Sequence, residues 1–364
     1  MSTLQATNLK HGSSASNNLV LDANGNVTAA GTVAMPTPFA FRNKIINGHF
    51  LWDQRGSGTV WAGGVANAQT YTLDRWFYVQ TLASKFSLQR QLSGGPTNLA
   101  SYLRITSSAA TTPSSSAIYV VAQKIEAANM FDTAWGASTA RTMTLSFWVR
   151  SSLTGTFGGA LFNANADRNY VFSYSINAAN TWEYKTITIA GPTSGTWDLT
   201  SNGTGLQIYF DLGAGTSSRG TAGSWGTSTN FYGPTGATNI VGTNGATWDL
   251  TGVQFELGSV ATPFELPDQT IQHQQVQRYY QIQPSTEYHV CPAPNATFAS
   301  TYPVHFPIAM RITPTLGFSY SATNAFGSYT SAVYSGPRGF VHYISASVST
   351  NAYMSFTYTA SAEL

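Results

Sequence analysis

Along much of this chain, apolar side chains recur at every second residue. Leu206, Ile208, Phe210 and Leu212 alternate with Gln207, Tyr209 and Asp211, and Met143, Leu145, Phe147 and Val149 make a second such run. A period of two puts one set on one face of a pleated strand, whereas a helix needs 3.6. Val304, Phe306, Ile308 and Met310 repeat the pattern, as do Ala352, Met354, Phe356 and Tyr358. Turns rich in Gly, Asn and Ser separate the runs. The pattern predicts an all-β chain whose strands are half-buried in a sandwich or jelly roll. Only 122–132 and 269–281 suit a helix, the second starting after Pro267-Asp268 and stopped by Pro284.

Four zones follow. Residues 1–40 are polar and small, with Leu19-Val20-Leu21 facing Val27 across Asn24-Gly25, the favoured pair for a tight hairpin. A lone hairpin is marginal in water, so it is expected to order against a partner, with Met35-Pro36-Thr37-Pro38 as a linker. Residues 41–266 read as a β-sandwich jelly roll, 267–284 as a linker helix and 285–364 as a C-terminal β-sandwich. The string TWDLT at 196–200 recurs at 247–251, each time followed by a Gly-apolar-Gln run at Gly205 and Gly252. We read equivalent strand beginnings rather than a tandem repeat. In the helix, Ile271, Gln275, Arg278 and Ile282 form one stripe and Val276, Tyr279 and Tyr280 another. Packing on its own domain and joining protomers around an axis both fit.

Charge narrows the function. Only 9% of the residues are charged, against roughly 25% in ordinary soluble proteins. A net charge of +2 leaves no basic surface for nucleic acid. No apolar run approaches the ~18 residues of a membrane span. Cys291 is the sole cysteine, which removes a disulfide framework and a cysteine zinc site. Histidines 11, 49, 273, 289, 305 and 342 lack metal-ligand spacing, and no nucleophile elbow, P-loop or dinucleotide fingerprint is present. The first residues lack a signal-peptide pattern, which fits intracellular assembly into a particle released by lysis. From Tyr288 to Leu364 only Arg311, Arg338 and Glu363 are charged. A small free-standing domain wants about a quarter of its surface charged, so copies of the chain are expected to cover this one. Counting carboxylates does not exclude a glycosidase pair. Asp74 beside Arg75 reads as a structural ion pair, and Asp249 as part of a strand beginning.

Two turn-rich stretches place aromatic rings among small hydroxyl and amide residues. Sugars need both, because their C–H faces pack on rings and their hydroxyls seek neutral polar partners. The first, 224–232, offers Trp225 and Tyr232. The second, the loop 327–339, offers Tyr329, Tyr334 and Arg338, whose guanidinium suits a bidentate grip on an acidic sugar or phosphate. We place the sugar site at the second, at the end opposite the N-terminal zone. The alternatives are that these rings fill loops or a subunit interface, and that Arg338 neutralises carbonyls there.

Several stretches resemble a domain of bacteriophage tail fibres: 43–50 (NKIINGHF), 52–56 (WDQRG), 73–76 (LDRW), 144–152 (TLSFWVRSS), 247–256 (TWDLTGVQFE), 258–265 (GSVATPFE) and 276–280 (VQRYY). The resemblance implies a virion protein that binds the host surface, as a homotrimer. The opening is also similar to carbohydrate-binding modules of the galactose-binding-like jelly-roll superfamily, with Asn47, Gly48, Phe50 and Asp249 at matching positions. Such modules imply a structural calcium, here near Asp249, although Leu51 replaces the usual acidic residue. The resulting expectation is a non-catalytic tail-fibre subunit in the phage tail. It would bind host polysaccharide or lipopolysaccharide and join other tail proteins through its N-terminus. A virion-associated glycan depolymerase and a structural tail adaptor are the alternatives.

Overall fold

In a computed structural model of the chain, residues 41–283, 287–291, 299–324, 329–346 and 352–364 are described, with 7–10, 12–13, 15–16, 18–21 and 27–29 of the first forty. The protein is all-β. Two antiparallel sheets face each other as a jelly-roll sandwich. The larger has seven strands, in the order Trp225–Gly226, Asn169–Ile176, Gly155–Asn163, Thr204–Asp211, Tyr119–Glu126, Trp76–Gln80 and Thr70–Tyr71. The smaller has five: Glu183–Ile189, Met143–Ser151, Thr247–Leu257, Tyr102–Ser107 and Phe86–Gln91. Alternate residues of both sheets meet between them. Phe147 and Phe210 cross edge to face at 5.3 Å, Trp248 lies 5.7 Å from Phe210, and the Trp248 indole N–H donates to the Tyr174 hydroxyl at 3.2 Å. Each such ring, fully buried, contributes about 1.5–3 kcal/mol.

Several expectations are corrected by what packs where. Thr204–Asp211 buries Leu206, Ile208 and Phe210 as predicted, but Gln207, Tyr209 and Asp211 on its other face are buried too. That outer face, with Phe77, Phe162 and Val171, is covered by Phe231 and Tyr232 of the segment that follows the strand. Residues 122–132 are not a helix. Ala122 to Glu126 complete the strand Tyr119–Glu126, and Ala127–Thr133 is a short 3-10 turn. Both faces of that strand are buried, which hides the period of two, and its β-branched Val120 and Val121 favour extended backbone.

The helix spans Gln269–Gln277, and the Asp268 side chain accepts from Thr270 N at 2.8 Å as its cap. It ends before 281 because Tyr280–Ile282 pairs with Ala352–Ser361. Val276, Tyr279 and Tyr280 are buried within the chain, whereas Ile271 and Ile282 stay 37% and 38% exposed. Of the two TWDLT strings only the second opens a strand, Thr247–Leu257; the first lies outside any strand, and the next begins at Thr204. Gly252 sits at φ 61° where that strand's pairing shifts between Thr251 and Gln254.

The motif residues around 47 and 74 build a hub. Residues 46–49 form a turn with Asn47 at φ 59°. Its side chain accepts from Trp52 N at 3.0 Å and donates to the carbonyls of Trp52 and Asp74, while the Trp76 indole donates to its carbonyl. A Cβ on Gly48 would stand 2.2 Å from the Val253 oxygen, so only glycine fits. Asp74 does not pair with Arg75. It pairs with Arg55 at 3.3 Å, while Arg75 reaches Glu363 and lies 3.6 Å over the Tyr279 ring. Asp74 and Arg75 lie in a turn, with Arg75 at φ 72°, and each takes its partner from elsewhere along the chain.

The C-terminal part is a second pair of sheets. Ala352–Ser361 pairs with Tyr280–Ile282, Glu287–Cys291 and Thr315–Asn324, and Gly339–Ala346 lies between Ala299–His305 and Tyr329–Gly336. Phe318, Phe340 and Tyr358 meet at 5.0–5.4 Å. The alternation from Val304 breaks at His305, where the strand ends, yet Phe306 and Met310 still turn inward. Two of the three charges between Tyr288 and Leu364 are used at the junction. Glu363 pairs with Arg55 at 2.9 Å and with Arg75, and Arg311 donates to the carbonyls of Ala362, Glu363 and Asn202. In the N-terminal zone Leu19–Leu21 pairs with Val27–Ala29, with Leu21 opposite Val27, one residue off the register of a two-residue turn. Asn24, Gly25 and the 35–38 linker lie outside the described residues.

Candidate functional site

The edge strand Trp225–Gly226 is held to the larger sheet by pairing with Tyr170 and Asn169. Three tryptophans meet there. Trp135, Trp197 and Trp225 stand 5.0–5.4 Å apart, each pair nearly perpendicular, and Tyr170 lies 5.4 Å from Trp225. Every indole N–H is taken by a carbonyl: Trp135 to Arg141 at 2.9 Å, Trp197 to Ser194 at 3.2 Å, and Trp225 to Ala190 at 2.7 Å. The rings are therefore fixed by their edges. Trp135 is buried, while Trp197 and Trp225 are half-buried.

Two grooves flank the edge strand. One, of about 330 Å³, is lined by Trp225, Arg168, Pro192, Thr193, Ser194 and Thr227 among others. The other, of about 370 Å³, lies beyond Gly226 and includes Asn169, Ser224, Ser228 and Phe231. Both volumes fall at the low end of the ~300–1,000 Å³ that ligand sites occupy. Each combines an aromatic ring with hydroxyls or amides. Neither lining contains a carboxylate.

The sequence-predicted residues fall in different places. Trp225 lines the first groove. Tyr232 turns onto the outer face of the larger sheet, 5.2 Å from both Phe162 and Tyr209, and burial raises its phenol pKa. Tyr329, Tyr334 and Arg338 do not belong to a loop: Tyr329–Gly336 is a strand, and Pro337-Arg338 turns it into Gly339–Ala346. Tyr334 is 71% exposed and Arg338 is exposed at the turn. The Tyr329 side chain lies outside the described residues.

A calcium site at Asp249 is not what the geometry offers. Its buried carboxylate is gripped by Arg104 through two bonds of 2.8 Å and by Arg150 at 2.7–2.8 Å. Two guanidiniums around one carboxylate leave a net positive site that repels a divalent cation. Among the described residues no group of three His, Cys, Asp or Glu is placed to hold a metal.

Sequence reasoning missed Arg168, Trp135 and Trp197. A signal for Trp197 existed, since the residues before it, Gly-Pro-Thr-Ser-Gly-Thr, have the same small polar make-up as 224–232. For Arg168 there was none.

No family model matches the sequence, and no curated protein is similar to it. Among solved structures, the chain is similar to the enzymatically active domain of tailspike protein 4 of bacteriophage CBA120. That match has 14% identity and a TM-score of 0.31 over 60% of this chain and 22% of that one. It is also similar to a CBM4 module, at 15% identity and TM-score 0.29 over 58% of this chain and 98% of that one. A third is a family 11 carbohydrate-binding module from Clostridium thermocellum, in complex with a mixed-linked tetrasaccharide. There the identity is 12% and the TM-score 0.26, over 52% and 91% of the two chains.

Proposed function

We propose that the chain is a non-catalytic glycan-binding subunit of a phage tail fibre, and that the groove beside Trp225 holds the sugar. What carries the reading is that groove: a half-buried indole whose N–H is already bonded, next to Thr193, Ser194 and Thr227. A ring so fixed offers its face to sugar C–H groups, and the hydroxyls offer the hydrogen bonds. The viral setting is supported by the ordered motif stretches between residues 43 and 280. The test is binding of the full chain to host capsular polysaccharide and lipopolysaccharide. Trp225→Ala should lower affinity at least tenfold with the melting temperature little changed. Equal binding by the variant refutes the groove.

The non-catalytic part is supported by the carboxylates. Among the described residues nine carboxylates are committed to ion pairs, and none lines the grooves. New reducing ends after incubation with the polysaccharide would establish the depolymerase instead. A second receptor contact at the hairpin tip is favoured by the 71% exposure of Tyr334 beside Arg338; Tyr334→Ala should then reduce adsorption. Trimer formation is supported by the exposed Ile271 and Ile282, and a monomeric mass in light scattering refutes it. Attachment to the tail through residues 1–40 is supported by the exposed Leu9 and Val20 of the small N-terminal sheet. Removing residues 1–35 should leave a folded protein that no longer joins particles.

A further inference from the structure

Of the nine arginines between residues 41 and 266, eight donate their side chains to a carboxylate or a carbonyl. Arg168 is the ninth. Among the described residues its guanidinium has no ion pair and no hydrogen bond, and its Nε is wholly buried without a partner. The neighbouring carboxylates are engaged elsewhere: Asp167 accepts from the Asn163 amide at 2.5 Å, and Asp198 accepts from Ser201 and Thr200. Gly195, at φ 97°, leaves the room the arginine stem needs, since a Cβ there would meet its Cγ and Nε at 2.8 Å. The same side chain lines the groove with Trp225. The guanidinium thus stands beside the groove without a counter-charge and can take an anion from outside.

We propose that the groove selects an anionic glycan, with Arg168 binding a carboxylate or phosphate substituent while Trp225 holds the adjoining ring. The inference rests on the groove reading above and goes further in naming the ligand's charge. The planar fork of the guanidinium suits two parallel bonds to such a group.

The experiment uses the full chain on an array where each acidic glycan sits beside its neutral partner. Probes are oligogalacturonate with its carboxyl-reduced form, sialyllactose with lactose, and mannose 6-phosphate with mannose. The acidic member should bind roughly tenfold tighter or more at low salt, with the preference shrinking as ionic strength rises. Arg168→Gln should erase the preference while leaving the melting temperature in place, and Arg168→Lys should keep part of it. Equal binding of both members, or a preference that survives Arg168→Gln, overturns the proposal while the groove stands. Binding of no probe, together with no effect of Trp225→Ala on host polysaccharide, brings down the groove reading and this inference with it.

Discussion

Two buried groups in the sandwich titrate against each other. Burial pushes the His49 imidazole down to about 4, and its Nδ1 has no partner. Burial pushes the Asp74 carboxyl up to about 6, against the pull of Arg55 and of the Gln54 N–H. A depressed histidine contributes stability above its unfolded value near 6.5 and loses it as pH falls towards 4. A raised aspartate does the reverse: its contribution is complete below its unfolded value near 3.8 and is lost as pH rises through 6. Going from pH 7.5 to 5, His49 should cost about 2 kcal/mol and Asp74 should return about 1.4 kcal/mol, leaving a small net loss. The two single variants should therefore diverge. His49→Phe should gain about 1.4 kcal/mol on acidification relative to its own value at pH 7.5, apart from background shared with wild type, and Asp74→Asn should lose about 2 kcal/mol. Urea unfolding followed by tryptophan fluorescence at the two pH values measures this. His289 and His342, also depressed by burial, add a common slope that cancels between variants. If both variants follow the wild-type slope, neither group carries the linkage.

Three further outcomes are expected. Gly48→Ala forces a methyl against the Val253 carbonyl and should destabilise the sandwich by about 1–3 kcal/mol or more, read as a lower midpoint in urea. Asp249→Asn should cost about 2–3 kcal/mol by leaving Arg104 and Arg150 facing each other, discounted for their partial exposure, while adding calcium or a chelator leaves the wild-type melting temperature unmoved. Arg311→Ala removes three bonds to backbone carbonyls at the junction, and hydrogen exchange should rise first in Thr315–Asn324 and Ala352–Ser361.

The strands that were legible are those with one distinct apolar set. Leu206, Ile208 and Phe210 identified their strand and their buried face, and Phe356 and Tyr358 identified theirs. Tyr119–Glu126 was misread because a strand buried on both faces loses its alternation. Asp74 and Arg75 are neighbours in sequence, which suggests a pair, whereas their partners, Arg55 and Glu363, come from elsewhere along the chain. Trp225 was legible as a ring among small polar residues. Arg168 was not, because its signal is the lack of a partner, and a partner is defined only when distant segments meet in space. The hairpin tip illustrates the converse: Tyr334 and Arg338 have the right chemistry, but a two-stranded turn leaves them spread on the outside.

The pairing of Arg75 with Glu363 spans 288 residues of chain. At roughly 5–20 residues per second, a ribosome takes about 15–60 s to make that stretch. Through that interval Arg75 waits without the acid that later meets it, while Arg55 already has Asp74. The order of synthesis thus brings Glu363 to Arg75 only after both sheets of the sandwich have been made.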